Sequence, residues 1–136
     1  MSNSFSWQLG LYMFKENSKA IYLQIADRIC DDILGNTLKA ADRLPSVREY
    51  AATVQVNPNT MMRTYEWLSA RSIIFNRRGI GYFVADDAAD RVKELRREEL
   101  LGNELTEIFR QLELLGITPD ELCDKYKKYL SSNEKK

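Results

Sequence analysis

Leu44-Pro45-Ser46-Val47-Arg48-Glu49-Tyr50-Ala51 and, shortly after it, Val56-Asn57-Pro58-Asn59-Thr60 decide the fold. Ser46 is followed three residues on by Glu49. This is the capping-box pattern, which satisfies the first free backbone N–H groups of a helix. It predicts a short helix running to about Val54. Asn57 then offers a second cap, and Pro58 stands at the first helical position, where its missing N–H costs nothing. The helix that follows places Met61, Tyr65 and Leu68 at i, i+4 and i+7, a core-facing stripe, and shows Asn59, Thr60 and Arg63 on its other face. Two helices joined by three or four residues, the second opening on polar and basic side chains, form a helix-turn-helix.

Upstream, Ile21, Ile25, Ile29 and Ile33 recur at every fourth position, flanked by Tyr22, Ala26, Cys30 and Leu34. That stripe predicts a helix of about four turns with Cys30 in the core, ended by Gly35-Asn36. Farther upstream Phe5, Trp7, Leu9, Leu11 and Met13 alternate, which predicts a short strand or an arm that packs on a neighbour. Downstream, Ile73-Ile74-Phe75 and Tyr82-Phe83-Val84 flank Asn76-Arg77-Arg78-Gly79-Ile80-Gly81. This reads as a β-hairpin with a basic tip, and a hairpin after a helix-turn-helix is a wing.

From about Ala88 the pattern becomes helical again. Val92, Leu95, Leu101, Leu105, Ile108, Leu112 and Leu115 form a stripe, and from Leu101 onward its spacing alternates by four and three like a coiled-coil seam. Glu98-Glu99 and Gly102 interrupt the stripe and predict a bend; Gly116 stops it. Thr118-Pro119-Asp120-Glu121 starts a last helix carrying Leu122, Tyr126, Tyr129 and Leu130, with residues 131–136 expected to fray. The expected fold class is α+β, mainly helical. Residues 1–86 form a winged helix-turn-helix with its N-terminal strand or arm, and residues 87–136 a two-helix dimerisation segment.

Composition narrows the chemistry. The 136 residues contain no histidine, which removes Ser-His-Asp and Cys-His catalysis, His-based zinc sites and a histidine pH switch. Acidic pairs such as Asp31-Asp32 and Asp86-Asp87 are sequence neighbours and read as solvated surface. There is no phosphate-cradling glycine loop and no metal spacing. Hence no enzyme, no cofactor and no metal are expected. Cys30 and Cys123 lie far apart and form no CxxC, which suits a reducing compartment. No apolar run is long enough for a membrane span, and no signal peptide is apparent, so a cytoplasmic protein is expected.

Twenty basic residues balance twenty acidic ones. The distribution is uneven. Residues 37–85 hold seven basic against three acidic residues, or +4, whereas residues 87–136 hold ten against twelve. A partner responds to the local field, so the zero total does not exclude nucleic acid.

The segments quoted, together with Ile21-Tyr22-Leu23-Gln24-Ile25-Ala26, Arg63, Tyr65 and Arg78-Gly79-Ile80-Gly81-Tyr82-Phe83-Val84, resemble the GntR family of bacterial transcription regulators over roughly residues 20–85. The short C-terminal helical part looks like that of the YtrA-like subfamily. Two departures stand out: Ala41 and Ser72 occupy positions where the family often has Gly. The resemblance implies a winged helix-turn-helix regulator, homodimeric through its C-terminal helices, of a kind that often represses operons for ABC-type transporters.

The residues then take roles on double-stranded DNA. Only the major groove distinguishes all four base pairs, and it admits a helix. The helix beginning at Asn57 would enter it, with Asn59 and Thr60 nearest the base edges and Arg63 one turn on, placed for a base or a phosphate. Asn57 is chiefly a cap. Arg48 matches a family position that holds the DNA backbone; its competing use is an ion pair with Glu49 or Asp42. Arg77 and Arg78, on a turn shaped by Gly79 and Gly81, would meet the minor groove or phosphates. Leu101, Leu105, Ile108, Leu112 and Leu115 are the candidate dimer seam. Trp67 is left with two environments, solvent or the C-terminal helices. No small-molecule effector is indicated by any residue. The competing function is a protein-interaction adaptor that kept the winged fold without specific DNA binding; the basic wing and polar helix face weigh against it.

Overall fold

A computed structural model describes residues 19–134. The strand or arm expected over Phe5–Met13 lies outside the described residues. The rest divides into two compact units, within residues 19–94 and 95–134.

The first unit opens with α1, Ile21–Leu34, which buries Ile25, Ala26, Ile29, Cys30 and Ile33. Ile21, the first member of the stripe, is more than half exposed. The helix ends where Gly35-Asn36 was expected to end it. Asn36 (φ +64°), not Gly35, takes the left-handed conformation, which Asn tolerates better than most residues. Helix α2, Val47–Val54, is capped as predicted, the Glu49 N–H donating to Ser46 Oγ over 3.2 Å. Helix α3, Pro58–Ala70, is capped by Asn57, whose Oδ1 accepts from the Asn59 N–H at 2.8 Å. Met61, Tyr65 and Leu68 are fully buried on its inner face. Thr64 joins them. It is a polar side chain that the core accommodates because its hydroxyl donates to the Tyr22 carbonyl at 2.8 Å.

The wing pairs β1, Ile74–Arg77, with β2, Gly81–Val84, antiparallel, Ile74 opposite Val84 and Arg77 opposite Gly81. The ladder is shifted toward the tip relative to the apolar runs: Ile73 falls outside β1, Asn76, Arg77 and Gly81 belong to the strands, and the tip shrinks to Arg78-Gly79-Ile80. A further edge runs beside β2. Arg43 bridges Phe83, and three 2.9 Å backbone bonds link Ala41 to Val84, Val84 to Asp42, and Leu44 to Tyr82. Ala41 (φ +70°) and Ser72 (φ +60°) both lie at the base of this assembly, near the Val84 end of β2, one on each outer segment. Both hold left-handed backbone where the resembled pattern favours Gly, so the turns keep their shape despite the side chains.

Helix α4, Ala88–Glu99, buries Ala88 and Val92 in the first unit. Around Gly102, where a bend is expected, the second unit has a π-helical turn, Leu100–Glu104, followed by α5, Leu105–Leu115. Such single wide turns inside helices are the usual form of a π insertion. Gly116 (φ +69°) closes α5. Helix α6, Pro119–Glu134, is capped by Thr118 Oγ1, which accepts from the Glu121 N–H at 3.2 Å. Residues 131–134, expected to fray, are helical. No Gly or Pro follows Pro119, so nothing in the sequence stops propagation.

Candidate nucleic-acid interface

The first turn of α3 projects Asn59 into solvent and leaves Thr60 half-buried. Arg63, one turn on, is also exposed, and its guanidinium lies 4.1 Å from the centre of the Tyr22 ring. That cation–π contact ties Arg63 to α1. Asn57 is exposed, with its Oδ1 committed to the cap. Arg48, in the first turn of α2, is exposed, and among the described residues it makes no salt bridge. The Asp42 carboxylate accepts from the Lys39 N–H at 2.8 Å instead.

On the wing, Arg77, Arg78 and Gly79 are exposed and Gly81 is half-buried. Arg77 leans over Phe83, 5.4 Å from its ring centre, and Phe83 stacks on Phe75. Gly79 (φ +80°) makes the turn. Gly81 (φ +143°) is favoured by its backbone, and a Cβ there would approach the flexible Arg43 side chain to 3.2 Å at Nε. Arg43 itself donates from Nη2 to the Ile80 carbonyl at 2.7 Å. It thus fastens the wing tip to the strand edge from which it comes, a role that nothing local in the sequence signals.

The platform beneath these side chains is aromatic. Tyr65 Oη donates to the Pro45 carbonyl at 2.6 Å, and Tyr50 and Tyr82 approach its ring edge-on at 6.4 and 4.9 Å. Burial first, then the neighbouring Tyr50, Tyr82 and Glu49, pushes the Tyr65 hydroxyl well above the ordinary tyrosine range. Tyr50 is raised by burial and by Asp32, against Arg28. Trp67 is half-buried, with the Arg71 guanidinium 3.7 Å from its ring centre, so the partner of its exposed face is one turn along the same helix.

The residues expected to meet DNA, Arg48 through Gly81, all fall in the first unit. The expected seam falls in the second. There Leu101, Ile108 and Leu115 are exposed, and Leu105 and Leu112 half-buried. Phe109, Tyr126, Tyr129 and Leu130 add to the uncovered apolar surface. Among the described residues no group of His, Cys, Asp and Glu could hold a metal ion, Cys30 is buried in the core and Cys123 is exposed, and no helix is long and apolar enough to cross a membrane.

Residues 21–84 match the model of the bacterial regulatory proteins of the gntR family. The HTH-type transcriptional regulator YhcF of Bacillus subtilis (strain 168), itself uncharacterized, is 41% identical over 117 residues, 84% of this chain and 93% of its own. The chain belongs to the GntR family. It is a DNA-binding transcription regulator on a winged helix-turn-helix. The HTH-type transcriptional repressor YtrA of the same bacterium is 34% identical over 74% of this chain and 72% of its own. The crystal structure of a GntR-family regulator from Bacteroides thetaiotaomicron superposes with a TM-score of 0.75 at 48% identity, covering 84% of this chain and 99% of that one.

Proposed function

We propose that this regulator is a repressor that binds a pseudo-palindromic operator as a homodimer, with α3 in the major groove and the wing beside it. The observation that carries this reading is the solvent-facing set on one unit: Asn59 and Arg63 on α3, Arg48 at the start of α2, and Arg77 and Arg78 on the wing. Asn pairs bidentately with adenine and Arg with guanine, whereas Arg48 and the wing arginines suit phosphates or the minor groove. The N-terminus of α2, with its backbone N–H groups, adds affinity for a phosphate. Thr60, half-buried in the same first turn, completes the set nearest the base edges, while Asn57, Gly79 and Gly81 shape these elements.

The homodimer rests on Leu101, Leu105, Ile108, Leu112 and Leu115, a seam with little else in its own unit to cover it. In this reading residues 1–86 read DNA and residues 87–136 pair the subunits, the start of α4 being anchored in the first unit through Ala88 and Val92. Repression is supported by the relative YtrA, a repressor. Transporter operons are the target class that the subfamily resemblance implies. The chain acts by occupying DNA rather than by transforming a substrate, in the cytoplasm, where DNA is found.

Selection of bound sequences from random duplex DNA with the purified protein tests this. The expected result is an inverted repeat with half-sites about one helical turn apart. Enrichment of no sequence, with low-salt titrations showing no binding, would favour the adaptor role.

A further inference from the structure

Met61 and Met62 are adjacent on α3 and meet opposite fates. Met61 is fully buried, whereas Met62 is 38% exposed. The helix explains the contrast. Met61, Thr64, Tyr65 and Leu68 define the inward direction, and residues three and four apart share a face. Asn59, Met62, Arg63 and Glu66 therefore form one outward stripe, in which Met62 is the sole apolar side chain. Arg63 is drawn toward α1 by its contact with the Tyr22 ring. Met62 stands beside it, one turn beyond Asn59, with no base-edge hydrogen bond to offer.

In the major groove the apolar feature of a base edge is the thymine C5-methyl group. Methionine is flexible and polarisable and can follow that methyl without exact alignment. We infer that Met62 is a specificity-determining residue that packs on a thymine methyl in each half-site, beside the bases met by Asn59 and Arg63. The inference rests on the reading of α3 as the major-groove helix and names a base class that this helix selects. It also accounts for an exposed methionine on an otherwise polar face, whose apolar surface leaves water when the helix docks.

The test uses the full chain and its selected operator, with each thymine of the half-site replaced in turn by deoxyuridine, which lacks only the methyl. At one thymine per half-site, the wild type should lose about fourfold in affinity, the worth of one buried methyl-sized group. Replacing both symmetric positions should cost about fifteenfold by the same arithmetic. Met62→Ala, at a helical position that alanine suits, should bind thymine and deoxyuridine operators equally while keeping its circular dichroism spectrum and a cooperative melting curve. Met62→Leu should keep most of the discrimination. A wild type indifferent to deoxyuridine at every position, a half-site without thymine, or an unchanged deoxyuridine penalty in Met62→Ala would overturn the inference while leaving operator binding through α3 intact. Absence of any selected sequence would sink the operator reading itself and this inference with it.

Discussion

Tyr65, in the middle of α3, donates its phenolic hydrogen to the carbonyl oxygen of Pro45 at 2.6 Å, just before the cap of α2. The bond spans twenty residues of sequence and joins the helix assigned to the groove to the start of the helix assigned to the phosphates. Removing it with Tyr65→Phe should lower stability by about 1 kcal/mol, the usual net worth of one such bond, in urea unfolding. The pH dependence has a definite sign. The folded-state pKa is raised above the unfolded value of about 10, so the contribution is fully present below about pH 10 and is lost as pH rises beyond it. Unfolding midpoints should fall above about pH 10 in the wild type and fall less steeply in Tyr65→Phe. Equal alkaline slopes would refute the assignment.

Ala41 and Ser72 hold left-handed backbone at +70° and +60°. A non-glycine residue in that region costs about 1–2 kcal/mol, partly offset by the flexibility that glycine adds to the unfolded chain. Ala41→Gly and Ser72→Gly should each raise stability by about 0.5–1 kcal/mol. Guanidinium midpoints would show the gain; destabilisation by either variant would mean that its side chain contributes more than its backbone costs.

Arg43 is the wing's fastening. Arg43→Ala should cost less than about 1 kcal/mol of global stability, since the side chain is exposed. It should nonetheless speed amide exchange at Arg78-Gly79-Ile80 and weaken operator binding. Unchanged exchange at the tip would show that the 2.7 Å bond to Ile80 does not hold it.

The seam makes a prediction of its own. Ile108→Asp with Leu112→Asp places two carboxylates on the apolar stripe and should convert a dimer to a monomer in sedimentation velocity. Helicity should be kept, and operator affinity should fall by orders of magnitude because the second half-site is no longer tethered. Retention of the dimer would move the interface elsewhere.

Much of this architecture was legible in the residues, and for a local reason. Ser46 and Glu49, Asn57 and Pro58, and Thr118 and Pro119 act within one helical turn, so reading them needs no knowledge of the fold. The isoleucine stripe of α1 and the buried set Met61, Tyr65 and Leu68 follow from periodicity alone. What escaped is non-local. The Arg43–Phe83 bridge, the Arg43 bond to Ile80, the Thr64 bond to Tyr22 and the Arg63 stacking on Tyr22 join residues tens of positions apart. Ala41–Leu44 has no strand-like alternation, and its pairing comes from β2 passing beside it. At the interface, the residue types were readable, but the draw of Tyr22 on Arg63 and the exposure of Met62 beside buried Met61 were not. They depend on which way α3 rolls on α1.

In the proposed complex α3 and the wing read DNA together, so removing one cation from each should abolish the preference for the operator. The double variant Arg63→Ala, Arg77→Ala is titrated against the selected operator and a scrambled duplex at one fixed salt concentration, beside the wild type. The wild type should prefer the operator by about a thousandfold or more, and the double variant, still folded and melting cooperatively, should lose nearly all of that preference. A double variant that binds the operator as the wild type does would rule out joint reading by α3 and the wing.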